Sequence, residues 1–521
     1  MAANPINPPN QTCTFSTEFY HPMLQESIQL FLSQLQSGTS DFSHFNLMFS
    51  RLIQTMPSPP IEVIWFHSAV NFHTHKNMIV QDDNLGKILA LKELFHLLVS
   101  STGPCCSSLK KVAVLAPLFF ELYNLVLDLR KHTGLSLDKV IIVEIGCLID
   151  RLTSFISLCC YEGVDDHDDS LAFSPCFVDL VKVWTAQRRE SGFEFEDDFK
   201  MFFPMISDDV RNGLRVGSRV GVLAGIVMCQ TFLLSLCLKF GLEGSQEKRE
   251  KDVLNLAVNI ITGFRSCYFF DTLLKMLLES GLPVNSLLTV VDEVLLRKAM
   301  FDAVILVDYP FFNPGFETRL CSHHLNSLAT TWLFVADKGL QFARNNGDQT
   351  KVISYTKAFS ESLIHCQLLK WVSTQFVMVE DANKTNLSTP VAFMEWLVHL
   401  KSQALRGFND DQFSMLLERA MNYISEMING PIYLEPDGNN CIDQKVGEDG
   451  GANEDLEMID TIDGAKTVCN SNFTVIETCR KRKGEKDEEG LRVKLFKYQI
   501  HDCPIKNFSP FQNEVSLIRR S

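Results

Sequence analysis

The sequence predicts an all-α protein, an irregular array of many packed helices followed by a charged, disordered C-terminal tail. Three observations carry that prediction. Apolar residues recur at spacings of three and four through most of the first 430 residues; no segment before residue 430 alternates with a period of two; and the composition changes abruptly after Pro431.

The elements follow in order. Residues 1–15 are rich in Pro and Asn and read as a disordered N-terminus. From Phe19 to Leu35 the residues Met23, Leu24, Ile28, Phe31, Leu32 and Leu35 form one helical face. The prolines within Met56–Pro60 stop the next helix, and an apolar run from Ile61 to Phe72 follows. Helical patterns then recur over 84–101, 109–132 and 138–161. Ser174–Pro175 reads as a helix start, and Thr389–Pro390 repeats it before a helix through Trp396 and Leu405. The same periodicity predicts helices over 206–240, 251–280, 284–306, 318–345, 350–379 and 409–428, with Gly, Pro, Asn and Asp in the loops. No signature positions recur at the fixed periods of about 34 or 40 residues that mark regular repeats. The pattern therefore fits an irregular array of the armadillo or HEAT kind, or a compact multi-helix domain. The helical body is expected over 16–430, with possible subdivision near 162–175 or 241–250.

The tail, 431–521, reads differently. Between Asp437 and Asp463 nine acidic residues accompany one Lys, with much Gly and Asn and few large apolar groups. Such a stretch buries too little surface to offset its ordering entropy.

Composition excludes some functions. Of 521 residues 46% are hydrophobic, enough for a large core, and the 39 Phe far outnumber nine Tyr and five Trp. Phe supplies apolar area without a polar tip that needs a partner. The formal charge of −15 argues against direct nucleic-acid binding over the whole surface. Met1–Asn10 carries neither a basic start nor an apolar run, so the expectation is an intracellular chain whose sixteen Cys are reduced. No C-x-x-C spacing occurs, and no cofactor is expected.

One segment is locally unusual. Gly213, Gly217, Gly221 and Gly225 recur every fourth residue, and so do Arg211, Arg215 and Arg219. On one continuous helix the two sets form opposed stripes. Each interior Gly costs about 1 kcal/mol relative to Ala, so close approach of another backbone is the simplest compensation. The ordinary reading is a tight helix crossing, with the arginines pairing to Glu194, Glu196, Asp197 or Asp198. The functional reading is a partner-docking or anion-binding groove.

Other features resolve into bland readings more readily than sharp ones. Val220–Leu238 lacks charge over a length that spans a bilayer, but Gln230, Thr231 and Ser235 interrupt it, and a buried central helix fits better. Asp165–Asp169, with His167 at its centre, offers a metal-hydrolase alternative, yet nothing positions further ligands. His67, His73, His75, His323 and His324 match no catalytic motif. Trp184, Trp332, Trp371 and Trp396 sit in apolar helical patterns, as core residues do.

Two tail segments interrupt the acidic run. Arg480, Lys481, Arg482 and Lys483 match a short nuclear-localisation pattern, readable by an importin. Leu491–Ile500 presents Val493, Leu495, Phe496, Tyr498 and Ile500 among basic residues, a composition suited to a linear motif that orders on a partner. The functional expectation is a non-enzymatic scaffold or adaptor in a nuclear complex, in a chromatin, DNA-repair or transcription-regulating setting. Its partners are other proteins, with no membrane involved. A helical hydrolase on Asp165–Asp169 and a membrane anchor at 220–238 are the alternatives.

Overall fold

The computed structural model of the chain describes residues 20–39, 41–76, 83–133, 139–162, 175–189, 197–216, 219–240, 245–309, 322–375, 387–403 and 411–429, with Phe173 and Phe312. The chain divides into two units, Met1–Leu434 and Glu435–Ser521, and every described residue belongs to the first. Among the described residues all the regular elements are helices, nineteen in number, packed as a multi-helix array.

The first helices end where proline and side-chain caps dictate. Helix α1 (Tyr20–Gln36) is followed by α2 (Ser43–Thr55), which stops at Met56 before Pro57, Pro59 and Pro60. Helices α3 (Ile61–Lys76) and α4 (Asn84–Ser101) come next, and the Asp83 carboxylate caps α4 by accepting the Gly86 N–H at 2.8 Å. Phe31, on α1, sits 4.6 Å from Phe42 and 5.7 Å from Phe66 between ring centroids, so the abundant Phe cross-brace α1, α2 and α3.

Four windows that read as single helices are divided in the structure. The stretch 109–132 becomes α5 (Ser108–Ala113) and α6 (Ala116–Thr133), because Pro117 has no N–H to offer the Ala113 carbonyl. Helices α7 (Lys139–Glu162), α8 (Phe177–Arg189) and the five-residue α9 (Asp198–Phe202) follow. Helix α8 begins two residues after Pro175 rather than on it; the Cys176 carbonyl accepts the first helical bond, from Leu180. The stretch 206–240 becomes α10 (Asp208–Val216) and α11 (Val220–Phe240). The stretch 251–280 becomes α12 (Gln246–Phe264) and α13 (Cys267–Leu277): Arg265 adopts a left-handed φ of 46°, and the Ser266 hydroxyl caps α13 through the Phe269 N–H. Helix α14 (Val290–Ile305) starts six residues later than periodicity suggested, where Thr289 supplies a cap to Asp292. Helix α15 (Ser322–Asn345) precedes α16 (Gln349–Glu361) and α17 (Leu363–Gln375), separated at Ser362, whose hydroxyl accepts the His365 N–H at 3.0 Å. Helix α18 (Pro390–Gln403) starts on Pro390 with Thr389 accepting the Ala392 N–H, and α19 (Asp411–Asn429) closes the described body.

The centre of the array is α11. From Leu223 to Cys237 every residue is buried, enclosed by α5, α6, α7, α12, α13 and α14. Thr231 and Ser235 return their hydroxyls to the Val227 and Thr231 carbonyls at 2.8 and 2.7 Å, which satisfies them without a partner helix. Two stretches, Ser108–Lys131 and Val220–Phe240, are long and apolar enough to cross a membrane, and 89% and 94% of their apolar windows are buried inside the protein. Core packing accounts for that apolarity. Helices on either side of 162–175 and 241–250 pack together, α3 on α8 and α7 on both α11 and α12. The four tryptophans noted in the sequence are all buried, and Trp332 donates its indole N–H to the Val304 carbonyl at 3.2 Å.

Candidate functional site

The Gly/Arg segment is shared between two helices, so the opposed stripes of a continuous helix do not form. Helix α10 ends at Val216 and α11 starts at Val220, and Gly217 lies outside the described residues. Gly and Ser, both poor helix formers, stand at the break. The remaining residues separate by role. At Gly225 an added Cβ would lie 2.5 Å from the Tyr268 carbonyl oxygen, so α11 and α13 touch backbone to backbone there. Gly221 is buried one turn earlier. Gly213 is exposed, and a Cβ there would meet no atom within 4 Å.

The arginines likewise divide. Arg211 is buried and donates to the Phe203 and Ile206 carbonyls at 3.0 and 2.6 Å while pairing with Asp208, whose carboxyl it holds below the usual range. Arg215 pairs with Asp197 at the start of α9 and lies over the Phe199 ring at 4.9 Å. Arg219 is exposed. Arg211 and Arg215 thus lock α10 onto the turn before it.

Helix α10, so held, forms one wall of a cleft of about 670 Å³ through Asp209, Val210 and Gly213, with α11, α13, α15 and α19 bounding the rest. Val210, Val222, Leu278 and Phe334 give it an apolar floor, and Gly213 leaves its mouth open. The edges carry charges of both signs: Asp209, the Asp271–Lys275 pair at 2.6 Å, and Arg419 and Glu426 on α19. At one end the C-terminus of α13 is held by cations from its neighbours. Arg297, from α14, donates to the Ser280 and Glu279 carbonyls at 2.6 and 2.9 Å, and Lys338, from α15, donates to the Leu278 carbonyl. Burial lowers the pKa of both cations, and the carbonyls at the negative end of α13 compensate.

Helix α19 is fixed by a buried carboxylate. Asp337 on α15 is fully enclosed; its Oδ2 accepts from the Tyr423 hydroxyl at 2.5 Å and from Gln341 Nε2 at 2.6 Å, while its Oδ1 has no hydrogen-bond partner. Burial raises the Asp337 pKa above the ordinary carboxylate value, against the lowering effect of the Tyr423 and Gln341 hydrogen bonds. A raised folded-state pKa means the folded protein holds this proton more tightly, so the associated stability is full below the unfolded value and is lost as pH rises through the folded one. We predict that Asp337→Asn flattens that decline in urea titrations run from about pH 4 to about pH 7. An unchanged slope would assign the decline to other groups. Tyr423→Phe, which removes the shortest bond to the carboxylate, is expected to cost about 1–3 kcal/mol in the same measurement.

No family model, curated protein or solved structure matches this chain. Its chemistry is therefore read from its own residues. Among the described residues no group of three or more His, Cys, Asp or Glu side chains is placed to hold a metal ion. His67 approaches Asn46 Oδ1 at 3.1 Å and burial lowers its pKa, whereas His75 reaches Glu93 at 3.3 Å on the surface. The Asp165–Asp169 cluster, the Arg480–Lys483 cluster and the Val493–Ile500 motif lie outside the described residues. The Asp337–Tyr423 contact and the Arg297 and Lys338 caps have no signature in the sequence. The Asp271–Lys275 pair has one, an i,i+4 spacing.

Proposed function

We propose that the chain is a non-enzymatic helical scaffold or adaptor subunit of an intracellular, nuclear protein complex, in a chromatin-associated, DNA-repair or transcription-regulating setting. The observation that carries the scaffold reading is the cleft. Its apolar floor and mixed-charge rim, mounted on interlocked helices, suit a partner peptide or helix with one apolar face and charges of both signs at its edges. The nuclear reading rests on Arg480–Lys483 as a motif for an importin, and Val493–Ile500 supplies a second protein-binding segment.

Gly213 provides a clean test. Gly213 lines the cleft and a Cβ there meets no atom within 4 Å, so Gly213→Trp is expected to crowd the cleft while keeping the fold and thermal midpoint. Affinity purification of the full chain under gentle conditions should recover a stoichiometric partner, and Gly213→Trp should lose it. Recovery of the same partner by both proteins would remove the cleft from this role; recovery of none by the parent would end the scaffold reading. For the nuclear assignment, alanines at Arg480–Lys483 in a fluorescent fusion are expected to move the signal to the cytoplasm. An unmoved signal would discard that motif.

A further inference from the structure

The cleft carries more charge than it uses on itself. Lys275 is committed to Asp271 at 2.6 Å, and Lys338 to the Leu278 carbonyl with the Glu279 carboxylate acting on it. That leaves Asp209 on α10, and Arg419 and Glu426 on α19. All three line the cleft, all are exposed, and none is in an ion pair among the described residues.

Arg419, Asn422, Tyr423 and Glu426 stand at i, i+3, i+4 and i+7, so they form one stripe of α19, and all four line the cleft. The stripe cannot roll, because Asp337 and Gln341 hold the Tyr423 hydroxyl at 2.5 and 2.9 Å. Contacts between helices also fix its direction. Tyr423 meets Phe334 at 5.5 Å between ring centroids, and Met427 Sδ lies 4.0 Å from Gln341 Nε2, so α19 runs in the same sense as α15. Tyr268 meets His324 near the start of α13 and Leu278 meets Lys338 near its end, so α13 shares that sense. Arg419 therefore stands toward the Thr331 end of the cleft and Glu426 toward the Lys338 end, about 10 Å apart along the helix.

We propose that the cleft receives an amphipathic helix of a partner protein whose edge facing α19 carries an acid and a base two turns apart, the acid on Arg419 and the base on Glu426. This rests on the cleft being the docking surface. A helix suits it because the long walls, α13, α15 and α19, are helices running in one sense, and Gly213 puts no side chain in the way of a close approach from α10. A volume of about 670 Å³ takes the side chains of one helix face, which leaves the partner's edge residues at the rim beside Arg419 and Glu426. Two acids or two bases on that edge would each set one like charge against the rim, so these two residues select the partner. Either direction along the cleft satisfies the pattern, so the acid precedes or follows the base in the partner's sequence.

The test uses the full-length chain and synthetic amphipathic peptides of about eighteen residues, with binding followed by fluorescence anisotropy at low salt. The peptides share one leucine face and a lysine on the edge toward Asp209. On the other edge, at two positions two turns apart, they carry glutamate and lysine, two glutamates, or two lysines. The mixed peptide is expected to bind about fivefold or more tighter than the other two. Arg419→Glu should transfer the preference to the two-lysine peptide, and Glu426→Arg to the two-glutamate peptide. Both positions are exposed, so helical circular dichroism should be unaltered. Preferences that do not move with these substitutions would overturn the proposal, as would binding of no peptide. A central proline should abolish binding of the mixed peptide, and its retention would overturn the helical form of the occupant. Equal binding of the three peptides would overturn the charge pattern. If Gly213→Trp abolishes that equal binding, the cleft keeps its docking role; if binding survives, the cleft loses that role as well.

Discussion

Replacing Asp302 with alanine is expected to lower the stability of the helical body by about 3–5 kcal/mol, measured by urea denaturation. Asp302, on α14, is buried and accepts two bonds from the Lys351 ammonium at 2.8 and 2.9 Å and one from the Tyr355 hydroxyl at 2.8 Å. Tyr355 is itself fully enclosed, and burial first, then the facing carboxylate, raises its pKa and keeps the hydroxyl protonated. Truncating the carboxylate removes the acceptor from a hydroxyl with no solvent access, and from an ammonium that α16 keeps beside it. The Tyr355 hydroxyl loses its bond without regaining water, while the Lys351 ammonium, 26% exposed, recovers part of its hydration. Asp302→Asn keeps one acceptor oxygen and much of the shape, so its loss should be smaller. Equal losses for the two variants would mean that the charge, rather than the acceptor geometry, holds α14 to α16.

The second large effect is at Gly225. Valine there would place a Cβ 2.5 Å from the Tyr268 carbonyl oxygen and 2.7 Å from its carbon, atoms of a helix backbone that cannot turn aside. Helix α11 must then move off α13, opening that backbone-to-backbone contact, at a cost of about 3 kcal/mol. Gly213→Ala belongs to the same segment and should do the opposite. Its Cβ meets nothing, so the substitution gains about 0.5–1 kcal/mol of helix propensity. Thermal denaturation of the two variants should therefore shift in opposite directions. Shifts of the same sign would contradict the separation of this glycine series into a packed member and an open one.

That pair shows what a one-dimensional reading reaches. Fourfold spacing identified the segment as unusual, and the compensation it anticipated, a close backbone approach, is made at Gly225. Spacing said nothing of the division after Val216, because apolar periodicity runs through it. The same blindness joined α5 to α6, α12 to α13 and α16 to α17. In the first case Pro117 was visible as a breaker; in the others the break rests on Arg265 in a left-handed conformation and on the Ser362 cap, which any serine in a helix could imitate. Helix α4 was legible to the residue because Asp83, its cap, directly precedes the first periodic position. The cleft was barely legible. Tyr423 and Asp337 are 86 residues apart, and only the path of α15 and α19 brings them together.

The enclosure of α11 has a consequence for synthesis. Its nineteen uncharged residues leave the ribosome well before Cys267–Leu277, the helix that covers it at Gly225 and Cys229. During that interval the nascent chain displays a segment with the length and apolarity of a membrane anchor, with α5, α6 and α7 already made and α12, α13 and α14 still to come. On composition alone a membrane-insertion machine would accept that segment, and the helices that follow are what complete the core around it. Slowing translation between residues 240 and 280 lengthens that exposure.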